Sequence, residues 1–346
     1  MDGTRSDVVD DCVIVDAHEG DSIVRIVVVG ACQYKRRLMC YFDDWTNPTA
    51  ARVYKEAQDV SVLACDVPTA SVDAGGQVRL TLDNAARDTW ANNITWRRAQ
   101  AQPLRDLVVC SRLHALHATW SAQRTTLLGE WLELHAQEGT LVHLYVHAVE
   151  PDEILALLDA YRRRGVAVLH DWSTLTHAAL SADCLMRYET RARYVAFYDV
   201  DEFVTVPHGG GFGSRPHQIL DNRFAANRDR PAVQLVHSMR VRPVLCDVAC
   251  EHVPLIARFC HPWVEAGVHH TKWFVLNDHR RRSLHLLPPD AETVPAEDLL
   301  IIQPHQRKQR TTQQQPALLD VETLPIPFTC ELMAKIAEKN TRQVEV

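Results

Sequence analysis

No two of the ten cysteines stand as a C-x-x-C pair; Cys12, Cys32, Cys40, Cys65, Cys110, Cys184, Cys246, Cys250, Cys260 and Cys330 are spread along the chain. That spacing argues against a zinc ribbon or finger. It leaves open both the disulfides of a secreted enzyme and the small buried hydrophobes of a cytosolic one. No apolar run approaches membrane-spanning length, and the amino terminus MDGTRSDVVDD is acidic and polar. Neither a signal peptide nor an anchor helix is therefore expected in these 346 residues. Positive charge is also short: 37 basic against 44 acidic side chains give a formal charge of -7, which argues against a general affinity for nucleic acid or anionic lipid. A dinucleotide fingerprint is missing as well, because Gly209-Gly210-Gly211-Phe212-Gly213 lacks the G-x-G-x-x-G spacing and does not lie between a strand and a helix. It reads as a loop. Asn93-Ile94-Thr95 fits a glycosylation acceptor, whereas Asn47-Pro48-Thr49 is disqualified by its proline.

What is present is enough apolar residue, 46%, and enough length for one large or two medium domains. Residues 1–103 carry β-branched runs, Ser22 to Val29 and Val78 to Leu82 among them, and read as a β-rich amino-terminal lobe. From 104 to 310 apolar strands alternate with helices, the pattern of an α/β domain with a mostly parallel sheet. Strands are expected at Leu107–Cys110, Leu141–Ala148, Val166–Leu169 and Tyr194–Tyr198, with helices at 122–138, 151–164 and 175–190. The second helix carries Pro151 at its first turn, Asp152 and Glu153 at the positive dipole end, and Arg162-Arg163-Arg164 before Gly165. Residues 311–346 read as a linker through Gln313-Gln314-Gln315-Pro316, then a short helix from Glu331 to Lys339.

The chemistry concentrates at Asp199-Val200-Asp201-Glu202, directly after the strand Tyr194–Tyr198. Open α/β sheets bind ligands at the carboxyl ends of their strands. Carboxylates at i and i+2 after a strand project to one side, and oxygen-only ligands suit magnesium or manganese. Such a cation neutralises a diphosphate leaving group. A solvated loop is the bland alternative, but three like charges against Val, Ala, Phe and Tyr are costly without a compensating cation. An aspartyl-nucleophile phosphatase also uses D-x-D after a strand. Against it, several βα units precede the motif, Phe203 stands where Thr or Val is expected, and no Asp-Asp pair follows. His114 and His117 have helical i, i+3 spacing but no third ligand with suitable spacing, which favours a structural role.

The segment Ala178 to Pro207, with Asp183-Cys184 and R-Y-V-A-F-Y-D-V-D-E-F-V-T-V-P, resembles the central motif of glycosyltransferase family 92, formerly domain of unknown function 23. Glu130-Trp131 with Gly139, Lys272-Trp273-Phe274-Val275 leading to His285, and His305-Gln306-Arg307 extend the resemblance over residues 105–310. It implies an α/β fold of the GT-A type, Rossmann-like, that binds a nucleotide-sugar donor. It also implies an inverting mechanism, galactose from UDP-galactose as the usual transferred hexose, a glycan acceptor, and a place in the secretory pathway at the Golgi membrane.

By position, the resemblance assigns the cation, manganese or magnesium, to Asp199 and Asp201. A carboxyl-terminal histidine completes the shell, His285 before His305. Asp183 is placed at the nucleotide, and Lys272 and Arg307 at the donor phosphates. Inversion needs a carboxylate base, for which Glu251 ranks ahead of Asp247 and Glu265. The run His279-Arg280-Arg281-Arg282 reads as an exposed turn. Two departures stand out: Gln306 replaces the aromatic of the family's H-Y-R, and the family's usual membrane anchor is missing from the sequence. A glycan- or nucleotide-binding module that keeps the fold without turnover is the alternative from a different class.

Overall fold

A computed structural model describes residues 13–20, 23–29, 38–42, 49–57, 60–67, 76–82, 92–96, 104–113, 124–146, 150–171, 176–189, 191–205, 216–226, 233–242, 263–276, 292–295 and 298–304. The expected glycine loop at 209–213, linker at 311–316 and helix at 331–339 lie outside them. The chain divides into two compact units, one of residues 1–104, 174–191 and 277–288, the other of residues 105–173, 192–276 and 289–346.

The first unit holds β1 (Val13–Gly20), β2 (Ile23–Val29), β3 (Leu38–Tyr41), β4 (Thr49–Ala50), β5 (Arg52–Ala57), β6 (Val60–Asp66), β7 (Gly76–Leu82) and β8 (Asn92–Trp96). They form two antiparallel sheets, β1-β2-β6-β5 and β4-β3-β7-β8. Val24, Ile26, Val28 and Leu63 from one sheet and Leu38, Cys40 and Val78 from the other share one core. The β-branched content that marks the strands also fills that core, since such side chains pack well on a pleated surface. A disulfide from Cys40 to Cys65 joins β3 to β6 and so pins one sheet to the other. The helix α3 (His177–Tyr188) belongs to this unit and packs on β1, β2 and β6. Thr176 caps it by accepting from the Ala179 amide at 3.3 Å. Burial of Leu180, Ser181, Asp183, Cys184 and Leu185 runs nearly all round it, and Arg25 of β2 pairs with Glu189 at its end. From local periodicity this helix reads as a crossover on the downstream sheet; amphipathicity reports that a face is buried, not which sheet buries it.

The second unit begins with β9 (Arg105–Arg112), α1 (Arg124–Glu138), β10 (Leu141–Val146), α2 (Asp152–Arg163) and β11 (Ala167–Asp171). Both α1 and α2 end in a glycine with φ of 71°, Gly139 and Gly165. The following residues donate back five positions, Thr140 to the His135 carbonyl at 2.9 Å and Val166 to that of Tyr161 at 3.1 Å. These bonds satisfy carbonyls that a helix end leaves bare. Next come β12 (Ala192–Phe197), β13 (Phe203–Thr205), α4 (Pro216–Ala226), β14 (Val233–Arg242), β15 (Trp263–Leu276), β16 (Glu292–Thr293) and β17 (Leu300–Pro304). The sheet order is β11-β10-β9-β12-β15-β14-β17-β13, with β16 beside β14.

The first four strands in that order are mutually parallel. Beyond them the sheet is mixed: β15 is antiparallel to both β12 and β14, and β14 is parallel to β17. The architecture is therefore α/β, with an all-parallel half from β11 to β12 and a mixed half beyond it. One core cluster runs through Leu107, Val109, Trp131, Leu144, Ile154, Leu158, Ala196 and Phe274. The strand order places the functional edge. From β9 the chain steps outward to β10 and β11, then returns to β12 on the other flank of β9. The gap between β9 and β12 is thus the topological switch point, where such sheets take ligands.

Candidate functional site

Four consecutive residues leave β12 at that edge. The Glu202 amide donates to the Asp199 carbonyl at 3.0 Å, so Asp199 to Glu202 close a β-turn. The strand-like i, i+2 projection expected of Asp199 and Asp201 does not apply inside a turn. Val200 is buried completely, and the acids differ in exposure: the Asp199 side chain is 28% exposed, that of Glu202 1%, and Asp201 is buried. The carboxylates seen to share a partner are Asp199 and Glu202. Glu202 Oε2 accepts from the Asp199 amide at 2.7 Å and from Lys272 Nζ at 2.9 Å, while Asp199 Oδ2 accepts from the same ammonium at 2.7 Å.

Strand register explains the arrival of Lys272. Because β15 runs antiparallel to β12 with Trp273 opposite Phe197, the preceding residue comes level with the end of β12. Burial pushes the Glu202 carboxyl above its ordinary range, and the charge of Asp199 adds to this, while the ammonium of Lys272 opposes it. For Lys272, burial works against the charge, but the carboxylates of Glu202 and Asp199 outweigh it and hold the ammonium above its ordinary value. The turn is a charged cluster with its own counter-ion.

A second group of side chains supports the turn from α1. Trp131 is fully buried, and its Nε1–H donates to the Glu202 carbonyl at 2.8 Å. His135, one turn on, places Nδ1 2.6 Å from the Trp131 carbonyl and Nε2 2.7 Å from the Tyr198 hydroxyl. Those partners dictate a neutral ring that donates from Nδ1 and accepts at Nε2. Burial lowers the His135 pKa to about 4, partly offset by the bond to the Trp131 carbonyl. Tyr198 in turn stacks on Phe274, with ring centroids 6.0 Å apart. Its hydroxyl is pushed well above its ordinary pKa by burial and then by Glu138 and Glu202. Glu130-Trp131 and D-V-D-E-F, two separate motifs of the sequence, are thus joined through one indole hydrogen bond.

The other expected site residues fall elsewhere. Asp183 is fully buried on α3 in the first unit, 3.4 Å from Arg187 through both carboxylate oxygens. His285, His305, Arg307, Glu251, Asp247, His114 and His117 lie outside the described residues, as does the side chain of Glu265. Among the described residues no three His, Cys, Asp or Glu side chains converge as a metal cage. The donor chemistry of the turn nonetheless suits a hard cation, since Asp199, Asp201 and Glu202 bring three carboxylates to one turn, of which Asp199 and Glu202 meet the Lys272 ammonium. The residues that sequence reasoning missed are Glu202 as the partner of Lys272 and His135 beneath Tyr198. The only signal for the latter was the i, i+4 spacing from Trp131 on one helix face.

Comparison with known proteins bears on this segment. Residues 106–219, about a third of the chain, match the sequence model of glycosyltransferase family 92. No curated protein matches the chain in sequence. Similar solved structures include 4-diphosphocytidyl-2C-methyl-D-erythritol synthase from Anaerococcus prevotii, with 10% identity, a TM-score of 0.27 and coverage of 50% of this chain and 72% of that one. S. aureus TarS has 14% identity and a TM-score of 0.27, covering 50% of this chain and 47% of that one. The bifunctional glycosyltransferase WbbM has 11% identity and a TM-score of 0.25, covering 58% of this chain and 35% of its own. The matched stretch contains all of β9 but Arg105, together with Trp131 and the whole acidic turn, and it supports the resemblance of this part of the chain to glycosyltransferase family 92.

Proposed function

We propose that the chain is an inverting glycosyltransferase of the GT-A type, moving a hexose, galactose from UDP-galactose, onto a glycan acceptor. The observation that carries this reading is the position of the Asp199–Glu202 turn, at the switch point of an α/β sheet and inside the family 92 segment. Asp199 and Asp201, with His285 or His305, would hold manganese or magnesium. When bound, that cation supplies charge neutralisation to the departing nucleoside diphosphate.

The remaining roles belong to the chain's own side chains. Lys272 offsets the acidic turn, and Trp131 fixes the Glu202 carbonyl, so the carboxylates are held before any donor arrives. Arg307 is assigned to the donor phosphates and Asp183 to the nucleotide by their positions in the family pattern. Glu251 would take the proton of the acceptor hydroxyl as that oxygen attacks the anomeric carbon opposite the diphosphate.

The secretory pathway, at the Golgi membrane, is the proposed location. Cys40 and Cys65 are bonded to each other, and Cys110 and Cys184 are also in disulfides, which suits an oxidising compartment. No described helix is long and apolar enough to cross a membrane.

The test is manganese-dependent release of UDP from UDP-sugars, together with thermal shift against UDP, GDP and CMP. Stabilisation by one nucleotide, and turnover lost in Asp201→Ala, support the transferase. Silence across the donor panel from a folded protein that still binds a nucleotide favours the binding module. That second reading draws on the engagement of Asp199 by Lys272.

A further inference from the structure

The carboxyl end of β9 is left unsatisfied. Two consecutive residues there, Ser111 and Arg112, each keep a buried polar atom without a hydrogen-bond partner, Ser111 Oγ and Arg112 Nε. Buried polar groups are nearly always bonded, and a guanidinium stays charged at every physiological pH. Alternation along β9 sends the two side chains to opposite faces, with Ser111 on the face of the core residue Val109 and Arg112 on that of Cys110.

Register gives Arg112 its place. Cys110 is the partner of Phe197 across the parallel pair β9–β12, so Arg112 and Asp199, each two residues further on, leave neighbouring strands at the same edge. That edge is the switch point. The other described cation there, Lys272, is taken up by Asp199 and Glu202 at 2.7 and 2.9 Å. Arg112, half-buried, makes no ion pair among the described residues. An anionic ligand entering between β9 and β12 meets carboxylates already paired with a lysine, and at the same edge a guanidinium whose Nε–H has no hydrogen-bond partner. The planar fork of a guanidinium matches two oxygens of a phosphate at once.

We propose that Arg112 is the anion anchor of this site and binds the diphosphate of the nucleotide-linked donor, while Lys272 serves the acidic turn. The inference rests on the transferase reading and sharpens it, because it moves the phosphate contact from Lys272 to a residue that no motif marks.

The test is calorimetric titration of the full chain, wild type, Arg112→Gln and Arg112→Lys, with inorganic pyrophosphate, UDP and uridine in magnesium. Wild type binds pyrophosphate and UDP, Arg112→Gln weakens both by about tenfold to a hundredfold, and Arg112→Lys recovers part of the loss. Uridine, which has no phosphate, distinguishes the variants little, and ligand-free melting temperatures separate a folding defect from a binding one. Should Arg112→Gln fail to fold, the ratio of UDP to uridine affinity in Arg112→Lys carries the test. An unchanged ratio there, equal pyrophosphate affinity in wild type and Arg112→Gln, or no binding of pyrophosphate and UDP by the folded wild type overturns the proposal. Failure of the transferase reading looks different: Arg112-dependent pyrophosphate binding without turnover of any nucleotide-sugar leaves the anchor standing and removes the transfer.

Discussion

The indole N–H of Trp131 lies 2.8 Å from the carbonyl oxygen of Glu202, tying α1 to the acidic turn across 71 residues of sequence. Trp131→Phe keeps most of the apolar contact and deletes this bond, stranding a buried carbonyl. A loss of about 1–3 kcal/mol is expected, read by urea unfolding. Donor turnover falls further than that stability loss explains, because the turn loses its support while the carboxylates remain.

Lys272 is the counter-ion of Glu202 and Asp199. Lys272→Met leaves a nearly inaccessible carboxylate uncompensated and costs about 3–5 kcal/mol in denaturant unfolding. Adding Glu202→Gln to Lys272→Met restores part of that loss. Simple additivity of the two single changes would show that the pair is not coupled.

His135 gives the protein an acid-sensitive support. Its pKa of about 4 lies below the ordinary 6.5, so the unfolded chain binds the proton more readily than the folded one. Stability from this group is complete above about pH 6.5 and is lost as pH falls toward 4, to a total of about 3 kcal/mol. His135→Gln keeps a donor and an acceptor but cannot charge. The stability difference between wild type and His135→Gln therefore shrinks on acidification through that window, and a constant difference would contradict the assignment.

The Cys40–Cys65 bridge closes a loop with a sequence separation of 25. Its removal in Cys40→Ala/Cys65→Ala costs about 3–4 kcal/mol through the added freedom of the unfolded chain. Urea unfolding of the double variant and of wild type, both without reductant, checks this, since reductant also opens the disulfides of Cys110 and Cys184.

Much of the second unit is legible from the sequence. Gly139 and Gly165 end α1 and α2 where left-handed residues are expected, and the acids and arginines of α2 mark its two ends. The D-V-D-E-F motif is correctly located after an apolar strand at the edge of the sheet. Its internal geometry is not, because Asp199 to Glu202 close a turn instead of extending the strand, and residue types alone do not separate the two. The pairing of Lys272 with Glu202 depends on the register of β12 against β15, a contact between strands some 70 residues apart that no local pattern encodes. Cys40–Cys65 is hidden for a related reason: ten cysteines allow many connectivities, and spacing selects none.

Residues 174–191 interrupt the second unit between β11 and β12 and yet complete the first, where α3 covers β2 and β6. During synthesis the first unit must wait for a helix made some 80 residues after its last strand, by which time β9, β10 and β11 have already left the ribosome. A fragment cut at residue 104 exposes the apolar face meant for α3 and is expected to aggregate, whereas one extended through residue 191 carries its own cover.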